Sequence, residues 1–68
     1  SVRDRRLLLI GAIAALGEGM VLEIQLRAAL RNKELTEEQV NEILVMLASY
    51  IGYPRATNLQ AAIMRAIA

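Results

Sequence analysis

At 68 residues the chain has room for one small domain, and a chain this short rarely buries enough apolar surface to offset its conformational entropy unaided. It has no Cys and no His, which removes disulfides, thiolate chemistry and the usual zinc ligand sets, so no cofactor is expected, and 56% hydrophobic residues leave self-association as the available support. Eight basic against seven acidic residues give a net charge of +1, which is no electrostatic footprint for nucleic acid or an anionic membrane.

Turn signals divide the chain into four helical segments. The first begins at Val2 or Arg3 behind Ser1, which has capping-box spacing to Asp4. Its Leu7–Leu16 stretch is apolar around nearly its whole circumference, so a helix buried on several sides is expected. That stretch is shorter than the roughly 18–20 residues of a membrane span. The basic "RDRR" before it imitates a signal peptide, but no small-residue cleavage site ahead of a mature domain follows. Gly11 sits mid-helix, where a close helix–helix contact is the usual reason for glycine, and Gly17 fits a left-handed helix end.

The second helix is expected over Met20–Arg31, with Leu22, Leu26, Ala29 and Leu30 on one face and Glu23 four residues before Arg27 outside. The third opens at "LTEEQ", where Thr36 caps, Gln39 closes the box and Glu37 and Glu38 occupy the positive first turn. Val40, Ile43, Leu44, Leu47 and Ile51 form its stripe, while Val45 and Met46 add a second apolar face. Gly52 ends it and Pro54 can open the fourth helix, whose stripe is Leu59, Ala62, Ile63, Ala66 and Ile67. The fold class expected is all-α, a compact antiparallel bundle of about four helices, with short loops placing successive helices side by side and residues 1–68 forming a single helical domain.

The ordered segments "RDRRLLLIGAIAALG", "LEIQLRAALRNKELTEEQVNEIL" and "LASYIGYPRATNLQAAI" resemble the carboxyl-terminal core of the carboxymuconolactone decarboxylase family. The resemblance implies the all-helical fold of the alkylhydroperoxidase-like superfamily, a trimer or hexamer, and a lyase acting on a small carboxylated lactone or enol; the lack of cysteine permits the cytoplasmic setting expected. Family members carry more helical sequence before the Arg-Asp-Arg motif, so these residues correspond to a core, either of a longer protein or of a miniature. Gln25 stands where decarboxylase-like members carry one histidine, and Met46 where they carry another. Imidazole proton transfer is therefore absent. The Cys-x-x-C chemistry of the peroxidase branch is absent as well.

Six residues are candidates for binding a substrate. Arg5 matches the arginine of the motif and can hold a carboxylate, against the plainer reading of a solvated charge. Gln25 can hydrogen-bond a carboxylate or enolate, or be an ordinary surface residue. Glu42 matches an acidic family position and, with Glu23, is best placed to border a helix–helix cleft, although surface ion pairs are commoner. Tyr50 and Tyr53 can line a pocket or close the end of the bundle. Arg55, near the start of the fourth helix, can meet an anion or face solvent. The expected partners are further copies of the chain and a small carboxylate, not nucleic acid or a membrane; seven acidic residues and well-formed caps also argue against a membrane-active peptide. A non-catalytic oligomer with a structural or partner-binding role is the alternative to a lactone- or enol-directed protein.

Overall fold

In the computed structural model, which covers all 68 residues, Ser1 accepts a hydrogen bond from the Asp4 amide and starts α1, Val2–Leu16. Gly17 follows in the left-handed region at φ 79°, donating back to Ile13 and Ala14. The next helix, α2, spans Gly19–Arg31, one residue earlier than the pattern indicates. It ends in a Schellman arrangement: Lys33 donates to the carbonyl of Leu30, and Glu34 to that of Ala29. Lys33 holds the left-handed position at φ 59°, where glycine or asparagine is usual. Nothing in the sequence announces that feature.

Thr36 and Gln39 close both hydrogen bonds of the capping box at the start of α3, Glu37–Ile51. Gly52 then takes φ 83° and ψ 162°, a region essentially reserved for glycine, and α4 runs Tyr53–Ile67 with Pro54 in its first turn.

The core is contributed unequally. From α2 come Leu22, Leu26 and Ala29, and from α4 come Leu59, Ala62 and Ile63, all essentially inaccessible. Small residues among large ones let the α2 and α4 backbones approach, and this is the most extensively packed pair. Val40 of α3 and Ile10 and Ala14 of α1 complete the centre, joined by Leu35 from the α2–α3 connection.

Two expectations need correction. Helix α1 is not buried on several sides: only Ile10 and Ala14 are enclosed, whereas Leu8 is 76% and Leu16 73% exposed. Nor do all successive helices pack side by side. Helices α2 and α3 barely touch, because α4 packs against both and takes the place beside α2.

Candidate functional site

Helix α1 presents different chemistry to its two flanks. On the α2 side, Arg6 donates Nε to Oε1 of Glu34 at 2.8 Å and Nη2 to Oε2 at 3.1 Å, a bidentate pair. Its Nη1 donates to Oε1 of Gln25 at 2.8 Å. Arg3 reaches the same loop, donating Nε to the Glu34 carbonyl at 3.0 Å. The Arg6 hydrogen bond is the main reason the Glu34 carboxyl lies below the ordinary range; partial burial opposes that shift and Asn32 assists it. In turn, the bond to Glu34 raises Arg6 above its ordinary value. No buried side-chain polar atom is left without a partner. The cluster therefore fastens α1 to α2 and its following loop, and it fixes the Gln25 amide with its oxygen toward Arg6.

On the α3 side, packing is thin and a cleft opens. Its outer part, about 300 Å³, is bordered by Arg3, Gln39 and Glu42 above Leu7, Ile43 and Met46. Its inner part, about 320 Å³, shares those three apolar residues and adds Ile10, Gly11 and Leu47. One end thus offers a guanidinium, a carboxamide and a carboxylate, and the other is almost entirely apolar. This is the usual make-up of a small-molecule site, and the volume is at the low end for one. A further recess of about 360 Å³ lies between α2, α4 and the start of α3, lined by Arg27, Arg31 and Glu37 among others. It is the more open of the three, a dish on the surface.

The structure redistributes the candidates. Glu42 does border a helix–helix cleft, together with Met46. Glu23 instead ties α2 to α4, accepting from Arg27 at 3.0 Å and from Arg65, and the Arg65 hydrogen bond is the main reason its carboxyl is held below the ordinary range. Gln25 is half-buried rather than an ordinary surface residue, and its oxygen is engaged by Arg6. Arg5 is exposed and lines no recess; its neighbours Arg3 and Arg6 hold the positions that matter. Tyr50 and Tyr53 are 82% and 89% exposed and line no recess, so within one chain they neither close the bundle nor border a pocket. Arg55 is exposed in the first turn of α4, beside Gly17. Gln25 and Met46 border no common recess: Met46 lines the cleft, whereas Gln25 lines none and is hydrogen-bonded to Arg6.

Arg3, Arg6 and Glu34 are functional-site residues beyond the six sequence candidates, and the sequence holds a signal for them. Arg3, Arg6, Ile10 and Ile13 fall at helical spacing on one flank of α1, so Arg6 continues the inward stripe and Arg3 extends the same flank at its exposed end. Glu34 directly precedes the buried Leu35.

Fold and cleft together define an all-helical domain with a small amphiphilic recess. The chain belongs to the carboxymuconolactone decarboxylase family, whose model matches residues 1–64. No curated protein sequence and no solved structure matches it. No helix is long and apolar enough to cross a membrane.

Proposed function

We propose that the α1–α3 cleft binds a small carboxylated lactone or enol, with Arg3 holding the carboxylate, and that Glu42 is the group that exchanges a proton with it. The supporting observation is the cleft itself: Met46, at a position where the family resemblance places a histidine, shares it with Arg3 and Glu42. Glu42 is the one lining side chain with a carboxyl group that can serve as an acid or base, because arginine stays charged, carboxamides neither gain nor lose a proton and the remaining residues are apolar. Gln25 keeps a polar contact role outside the cleft, through an amide nitrogen left free to donate.

The test is solvent deuterium exchange into a carboxylated enol or lactone, followed by NMR beside isothermal titration. Exchange should vanish in Glu42→Gln while binding persists, and binding should fail in Arg3→Met. Exchange that survives Glu42→Gln would remove the catalytic part of the reading, and equal binding by Arg3→Met would remove the site.

The second reading, a non-catalytic helical oligomer, draws on a different observation. Leu9, Leu16, Met20, Val21 and Ile24 leave apolar surface exposed on α1 and α2, suited to the trimer or hexamer implied by the family. Light scattering that finds a monomer at micromolar concentration would count against that assembly.

A further inference from the structure

Gly11 has no local reason to be glycine. It lies in the middle of α1, where glycine destabilises a helix relative to alanine. Its φ is not positive, since only Gly17 and Gly52 among the glycines have that geometry. A Cβ built on it would meet nothing within 4 Å, so no neighbouring helix approaches closely enough to require its absence, contrary to the reason expected from the sequence. What the position does do is line the inner, apolar end of the α1–α3 cleft.

The other end of the cleft specifies polar groups. Arg3 uses Nε on the Glu34 carbonyl, which holds its stem and leaves its two Nη groups without a partner in the chain. Gln39 uses its oxygen on the Thr36 amide, so its nitrogen is the group left to donate. Glu42 can only accept while ionised. Two donors suit a carboxylate, and the acceptor suits a hydroxyl beside it.

We propose that the ligand is a hydroxy- or enol-carboxylate carrying an extended apolar body, and that Gly11 is a specificity-determining residue whose missing side chain sets how long that body can be. This rests on the cleft being the ligand site proposed above. The carboxylate sits at Arg3, the hydroxyl at Glu42, and the apolar body lies over Gly11 between Ile10 and Leu47. A methyl group at position 11 enters that space without disturbing the fold, because no neighbouring atom lies within 4 Å of it, and a larger side chain extends further into the cleft.

The experiment measures binding of straight-chain acids from 2-hydroxybutanoate to 2-hydroxydecanoate to the intact chain and to Gly11→Ala and Gly11→Val. In the unsubstituted chain, affinity should rise about fourfold for each methylene buried, up to the length the cleft admits. Gly11→Val should keep 2-hydroxybutanoate and lose the gain for longer acids, and Gly11→Ala should fall between. The thermal midpoint of Gly11→Ala should not drop, which separates a blocked cleft from a damaged fold and leaves a folded variant if valine is not tolerated. An identical length dependence in all three chains would overturn the role of Gly11 and leave the cleft as the site. No binding of any acid to the unsubstituted chain would instead overturn the cleft as a carboxylate site. Sedimentation on the same proteins adds a third outcome: if Gly11→Val weakens self-association and leaves acid binding unchanged, a second copy fills the groove and the proposal falls.

Discussion

The α2–α4 seam and the α1–α3 seam draw on the same small set of residues, yet one is closed and the other open. In the first, α2 contributes Leu22, Leu26 and Ala29 and α4 contributes Leu59, Ala62 and Ile63, and every one of these side chains is shielded from solvent. In the second, Leu7, Ile43 and Leu47 are only half-buried, Met46 is 58% exposed, and Gly11 faces empty space. Alanine opposite leucine lets two helices close on each other. A glycine that no neighbour approaches leaves a recess. The difference separates the part of the bundle that carries its stability from the part available to a ligand.

The sharpest way to break this contrast is truncation on each side. Leu59→Ala should cost about 2–5 kcal/mol, as for other enclosed leucines, and leave so small a chain largely unfolded by circular dichroism. Met46→Ser, on the open seam, should change the unfolding free energy by no more than about 0.5 kcal/mol. Equal losses would show that the cleft is packed in solution. Between these extremes lie changes at the helix junctions that set how the seams are presented. Gly52→Ala should cost about 1–3 kcal/mol, because its backbone conformation is closed to other residues even though space for a Cβ is free. Thr36→Ala should cost about 1 kcal/mol by opening the capping box that starts the cleft's α3 wall. Urea titration checks both.

Acid probes the polar fastenings. Glu23 on α2–α4 and Glu34 beside α1 both have folded pKa values below their unfolded ones. The stability they add is therefore full above about pH 4.3, the ordinary glutamate value, and is lost as pH falls through the lower folded values. Melting midpoints should drop over that interval, and Glu34→Gln should flatten part of the drop. An unchanged acid profile in that variant would mean that the Arg6–Glu34 pair does not hold α1 in solution.

Much of this fold was legible along the chain because its signals are local. Thr36 with Gln39, Gly17, Gly52 and Pro54 each act within a few residues of themselves, and the helix boundaries they mark hold to within one residue. The α2 and α4 stripes also identify core positions, since helical periodicity is enough when a face is fully covered. The candidate site was less legible. Arg5 is marked by its motif and the tyrosines are the two aromatic residues of the chain, but whether a side chain borders a cleft depends on what packs opposite. Arg6 and Arg3 are not legible in that way, because each gains its meaning from Glu34, which lies far along the chain.

The sequence by itself determined four helices, the caps at Ser1, Gly17, Thr36 and Gly52, the family and the absence of imidazole and thiol chemistry. Each of these follows from local hydrogen bonding, from periodicity, from residue order or from composition. Only the tertiary structure decided that α4 rather than α3 lies against α2, that α1 is covered on one side, and that Glu42 and Met46 meet Arg3 across a cleft while Gln25 turns to Arg6. Those outcomes depend on which stripes fit together, and that fit is a property of pairs of helices, not of any one of them.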